Sequence, residues 1–238
     1  MSLDLRVAEA SRHLADAVRA HAPTAFASSF GAEDMVILDL IHQLHLDVEI
    51  FTLDTGRLHP ETYDLIARAQ QVYRLPVRVL SPDAAQLEAF VTEQGINAFY
   101  RSVELRKRCC GIRKLEPLKR ALQGKAMWIT GLRREQSVTR TDVEVLAFDH
   151  GNGLMKLNPL ADWSEADVWA YVHRYDIPTN ALHTRGFPSI GCAPCTRAIQ
   201  PGEDTRAGRW WWEQPESKEC GLHVDENGRL VRAAKESA

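Results

Sequence analysis

The chain has 238 residues, 45% of them hydrophobic, and a formal net charge of −3, enough apolar material for one sizeable core and within the range of a single α/β domain. That charge gives no overall attraction to nucleic acid or to an acidic membrane, and no apolar run is long enough to cross a bilayer, so a soluble, cytoplasmic protein is expected. Five cysteines, few and odd in number without an export signal, argue against a disulfide framework and for metal or redox chemistry.

Residues 5–19 place Leu5, Ala8, Leu14 and Val18 on a helical period that Pro23 ends. Thr24 to Ala27 is a short apolar run leading into Ser28-Ser29-Phe30-Gly31-Ala32-Glu33-Asp34, as expected where a buried parallel strand turns toward a helix. Met35 to Leu44, apolar nearly all round, predicts a buried helix. A second strand is predicted over Val48–Leu53, then a loop Asp54-Thr55-Gly56 and a helix from Pro60 to about Arg74. Val77–Leu80 predicts a third strand, with helices over about 83–93 and 102–122 after it, the latter bent or divided at Pro117. Ala126 to Thr130 gives a fourth strand ended by Gly131. Ser164 and Asp167 resemble a capping box for a helix that turns Val168, Trp169 and Val172 inward.

Alternation of strand and helix predicts an α/β fold, a parallel sheet covered by helices on both faces. One domain is expected over residues 1–214, followed by a polar, mobile tail over 215–238. Ligands bind such sheets at the carboxyl ends of the strands, where the loops 28–34, 53–57 and 131–140 would meet.

Cys109-Cys110 and Cys192-Ala193-Pro194-Cys195 supply two pairs of thiolates, the count for a Cys₄ iron–sulfur cluster or a tetrahedral zinc. Adjacent cysteines in a helix are cramped for zinc, and a larger multi-iron cluster accepts them more readily. Eight basic residues between Arg101 and Arg120 surround the first pair, and Lys114 would lie one helical turn from Cys110. The 28–34 loop would aim N–H groups and two hydroxyls at an anion near a helix N-terminus, though it lacks the ending of a Walker loop. Gly131, Arg133, Arg134 and Arg140 follow the fourth strand, and Arg197, Arg206 and Arg209 flank the second cysteine pair, with guanidinium forks suited to sulfate and phosphate. Cys220, three residues before His223, stands apart as a possible nucleophile.

The motifs Ser28–Asp34, Leu53-Asp54-Thr55-Gly56, Gly131–Ser137 and Glu219-Cys220-Gly221-Leu222-His223 together resemble the sulfonucleotide reductase family, in its adenylyl-sulfate branch. The resemblance implies an adenine nucleotide alpha-hydrolase-like sheet with a modified PP-loop, and reduction of adenylyl sulfate to sulfite in sulfate assimilation. It implies a 4Fe–4S cluster on Cys109, Cys110, Cys192 and Cys195, Cys220 as the nucleophile that becomes an S-sulfocysteine, and thioredoxin as reductant. Substrate contacts are implied at Ser28, Ser29, Phe30, Gly31, Leu53, Asp54, Thr55, Gly56, Lys114, Gly131, Arg133, Arg206 and Arg209. A homo-oligomer, dimer or tetramer, is implied, with neither nucleic acid nor membrane as partner. The alternatives are a reductase of the 3′-phosphorylated nucleotide or of both, a zinc-bearing PP-loop ATP pyrophosphatase or RNA thiolase, and a non-catalytic nucleic-acid binder using the basic stretch.

Overall fold

Short apolar runs that stop at Gly, Asp or Ser become the strands, because nothing in them repeats at helical spacing and their ends supply turn residues. In a computed structural model, which describes residues 1–136 and 143–214, these are β1 (Thr24–Ala27), β2 (Val48–Leu53), β3 (Val77–Leu80) and β4 (Met127–Ile129). Two further strands, β5 (Leu146–Asp149) and β6 (Leu154–Leu157), complete one sheet in the order β3-β2-β1-β4-β6-β5. The first five in that order run parallel, and β5 is an antiparallel edge hairpinned to β6. The expected sheet is thus mostly parallel, with one exception. Asp149 makes that hairpin, its carboxylate accepting from the Gly151 and Asn152 N–H groups and from the Trp128 indole.

Side chains alternate across the sheet. Phe26, Ile50, Met127 and Ile129 pack on one face with helices α1 (Leu3–Ala20), α2 (Ala32–Gln43), α3 (Pro60–Tyr73) and α7 (Glu165–Arg174). Ala25, Phe51, Leu80 and Trp128 pack on the other with Leu118, Ala121 and Leu122 of α6 (Glu116–Leu122). Ser164 and Asp167 form the expected capping box. On α7 the buried stripe is Val168, Tyr171 and Val172, with Trp169 only half-buried. Tyr171 donates to the buried Asp39 of α2 at 2.6 Å, tying the two helices through a polar pair inside the core.

The helix predicted over 102–122 is divided as expected, in the turn that precedes Pro117. Helix α5 (Val103–Cys110) passes into a π turn over Gly111–Leu115 before α6 resumes. Pro117 stands just past that turn, at the start of α6, where its ring and missing N–H disfavour an unbroken α-helical hydrogen-bond ladder. The π turn begins right after the cysteine pair and carries Arg113 and Lys114. Helix α4 (Ala84–Gln94), capped by Asp83, completes the α-helices among the described residues. None of the described helices is long and apolar enough to cross a membrane. The expected tail over 215–238, and with it Cys220, lies outside the described residues.

Candidate active site

Backbone hydrogen bonding runs one residue past the strands, from Ser28 N to Phe51 O, Asp54 N to Leu80 O and Thr130 N to Leu157 O, so the sheet itself holds the roots of the three motif loops. Over their carboxyl ends lies a cavity of about 250 Å³. Ser28, Ser29 and Gly31 after β1, Leu53 and Thr55 after β2, and Gly131 and Arg133 after β4 line it. So do Lys114 from the π turn and Cys192, Arg206 and Arg209 from the 189–210 segment. Phe30, Asp54 and Gly56 do not. Phe30 is buried at positive φ, and Asp54 accepts from Gly56 N and Tyr63 Oη, shaping the loop from behind.

The two cysteine pairs, over eighty residues apart in sequence, share one neighbourhood. Ala193 N donates to Arg57 O, Tyr100 Oη to Pro194 O at 2.7 Å, and Cys192 Sγ to Thr55 Oγ1 at 3.2 Å, which bind the second pair to the loops around the first. Burial pushes the Cys109 thiol up, the Cys192 charge adding to this while Arg113 and Arg57 pull it down. Burial, then the charges of Cys192 and Cys109, push Cys195 up to about 12 against the pull of Lys114 and Arg209. Cys110 faces Arg106. Four desolvated thiols ringed by Arg57, Arg106, Arg113, Lys114 and Arg209 fit, in number and chemistry, an anionic cluster in which each iron takes one thiolate. No three His, Cys, Asp or Glu side chains among the described residues are placed to hold a single metal ion.

Arg113 was not anticipated as a site residue. It is buried, donates from Nη1 to Thr55 O at 2.5 Å, and approaches Gly56, where a Cβ would meet it at 3.5 Å. The signal was the basic stretch around Cys109-Cys110, which the structure takes apart. Arg106 and Arg113 are buried, Arg108 pairs with Glu93 and Arg120 with Glu116. The stretch is therefore no continuous basic surface of the kind a nucleic-acid binder needs.

Arg209 is aimed from several sides. Its guanidinium lies over the Trp210 ring at 4.8 Å, with Arg106 over the same ring at 4.8 Å. Its Nη1 donates to Ser189 Oγ and Ile190 O. It also lies flat against Gly191, where a Cβ would stand 2.5 Å from Nη2. Gly191→Ala should therefore push Arg209 aside with little effect on folding. If Arg209 holds an anion, loss of a charge-assisted contact predicts a KM about ten- to a hundredfold higher. An unchanged KM in steady-state kinetics would show that Arg209 does not.

The loop after β1 differs from the expectation of an anion cradle. Ser29 donates to Asp34 Oδ2 from both N, at 2.6 Å, and Oγ, at 2.7 Å, while Phe30 N donates to Ser28 Oγ. A resident carboxylate takes donors that a bound anion would need, and Glu33 and Asp34 both sit in the first turn of α2. Burial raises Asp34 to about 6, helped by the Glu33 charge and opposed by the Ser29 hydrogen bonds. A carboxyl raised in the folded state adds stability below its unfolded value near 3.8 and loses it as pH climbs through about 6. Relative to Asp34→Asn, the wild-type chain should therefore lose on the order of 3 kcal/mol between pH 4 and 7. Denaturant melts of both proteins across that range check it, and parallel curves would refute it.

The phosphoadenosine phosphosulfate reductase domain model matches residues 23–198. The chain belongs to this family. The matched residues include the three motif loops at the strand ends, while Arg206, Arg209 and Trp210 of the cavity lie beyond them. Among sulfonucleotide reductase relatives, an adenosine 5′-phosphosulfate reductase of Burkholderia cepacia is 54% identical over 204 residues, 86% of this chain and 82% of that one. One from Allochromatium vinosum is 52% identical over 222 residues, 93% and 87% of the two chains. The crystal structure of the phosphoadenylyl-sulfate reductase of Candida auris, a phosphate complex, superposes with a TM-score of 0.69 at 26% identity, covering 84% of this chain and 98% of that one.

Proposed function

We propose that the chain reduces adenylyl sulfate, also called adenosine 5′-phosphosulfate, to sulfite and AMP, with thioredoxin as reductant. The observation that carries this reading is the grouping of four buried or half-buried thiols with Lys114 and Arg209 at one end of the cavity over the strand ends. The names of relatives at 52–54% identity agree with it.

Lys114, Arg206 and Arg209 would hold the sulfate and phosphate oxygens, each cation offsetting charge that grows on the leaving phosphate. The Cys220 thiolate attacks the sulfate sulfur. The S–O bond to phosphate breaks, AMP leaves with the electron pair, and an S-sulfocysteine remains. A thiolate of the reductant then attacks the Cys220 sulfur, displacing sulfite and forming a mixed disulfide, which the reductant's second thiol breaks, releasing the Cys220 thiolate and leaving the reductant oxidised by two electrons to its disulfide. Cys109, Cys110, Cys192 and Cys195 would hold a 4Fe–4S cluster, whose charge would tune the electrostatics of the cations around it. The two reducing equivalents come from thiols.

Anaerobic purification followed by iron, sulfide and absorbance measurement, with sulfite release assayed from adenylyl sulfate and reduced thioredoxin, tests this. A brown protein with about four irons per chain that releases sulfite is expected. A colourless zinc protein, or one that leaves the nucleotide intact, would overturn the reading.

A further inference from the structure

The cavity has a second end. Its thiol end stands beside Thr55, after β2, whereas Gly131 and Arg133 follow β4, with Ser28 and Ser29 of β1 between them. Two strand spacings separate the ends, about 10 Å. A nucleotide that presents its 5′ sulfate to the thiols lays its ribose across β1 toward β4.

Among the described residues Arg133 is the cation at that far end, and its side chain is 4% exposed. Its Nε donates to Glu33 Oε1 at 2.8 Å, and its Nη1 to Glu135 Oε2 at 3.1 Å and Trp163 O at 3.2 Å. Gln136 Nε2 donates to the same Glu33 oxygen at 2.9 Å. Glu33, Asp34 and Glu165 all line this end of the cavity. Among the described residues, carboxylates thus outnumber the arginine at this end, and the arginine is already engaged. A phosphate on a ribose hydroxyl, with a charge of about −1.5 to −2, would face those carboxylates and could reach Arg133 only by displacing Glu33.

We propose that Glu33 sets the nucleotide class by occupying Arg133, so that the site takes an adenosine nucleotide whose ribose carries no phosphate. This rests on the nucleotide reading above and adds to it a residue that discriminates between its two candidate substrates. Glu33 is a specificity residue, and Arg133 is the group it withholds.

Binding of AMP and of adenosine 3′,5′-bisphosphate, measured by calorimetry on the purified holoprotein, tests it without turnover. The wild-type chain should bind AMP at least about tenfold more tightly at low salt, a preference that narrows as salt rises. Glu33→Gln keeps a hydrogen-bonding side chain but drops the charge. It should move the ratio at least about tenfold toward the bisphosphate, a gain that the added Arg133→Met removes, and kcat/KM for the two sulfonucleotides should shift alike. Equal affinities in the wild-type chain, or an unmoved ratio in Glu33→Gln, would overturn the assignment. Wild-type binding of neither nucleotide would instead overturn the reading on which it rests.

Discussion

Cys220→Ser should retain the fold, the visible absorbance and the nucleotide affinity while losing at least about ten-thousand-fold in sulfite release, the scale on which enzymes suffer when a covalent nucleophile is removed. The reason is chemical. A thiol near its ordinary pKa is already a few per cent thiolate at neutral pH, whereas a serine hydroxyl needs a base to become a useful nucleophile. A single-turnover experiment with labelled adenylyl sulfate reads the step directly, since the wild-type chain should carry the label on Cys220 before thioredoxin is added. Turnover retained by the serine variant would remove Cys220 from the mechanism.

Glu213→Ala should be the most damaging change among the described residues that do not line the cavity. Glu213 and Arg106 form a two-pronged ion pair, Nε to Oε1 at 2.9 Å and Nη2 to Oε2 at 2.8 Å, with side chains 2% and 0% exposed. Removing one partner strands a buried charge, which costs about 3–5 kcal/mol, or roughly 6–20 °C in Tm for a chain of this size. Replacing both by apolar residues, Arg106→Met with Glu213→Leu, should cost less than either single loss. The pair also matters to the site, because Arg106 faces Cys110 and stacks on Trp210. Calorimetric melts of the two single variants and the double variant decide the matter. Additive losses would mean that the two side chains act independently.

Much of this architecture could be read from the chain. Strands β1, β2 and β3 fall on the predicted residues, because each is a short apolar run stopped by Ser, Asp or Pro chemistry. Ser164 and Asp167 could be read as a cap because the motif is local. The β5–β6 hairpin was missed although Asp149-His150-Gly151-Asn152-Gly153 is a turn signal. Its strands are short and expose Leu146 and Phe148, so their hydrophobic pattern resembles loop.

Within the site, spacing singled out the four cysteines, and Lys114, Arg206 and Arg209 were marked by their nearness to them. What spacing could not show is which polar groups consume one another. Ser29 satisfies Asp34, Glu33 holds Arg133 from a hundred residues away, and Arg106 finds Glu213 across more than a hundred. Such pairings are tertiary facts, and a lone sequence carries no record of them. The basic stretch at 101–120 misled for the same reason, since its two central arginines are internal struts.

The π turn at Gly111–Leu115 has a consequence for how easily this site could be lost. Such a turn is what a helix makes when it accommodates one surplus amino acid. Excising any one of those five positions would let the backbone run on as an ordinary α-helix, with α6 still gripping the sheet. Because the turn absorbs that residue locally, α5 and α6 would keep their mutual register, and what would change is the backbone that brings Arg113 to Thr55 and Lys114 to the cavity. A three-nucleotide deletion in the gene would be enough to withdraw these two cations and leave the surrounding architecture standing.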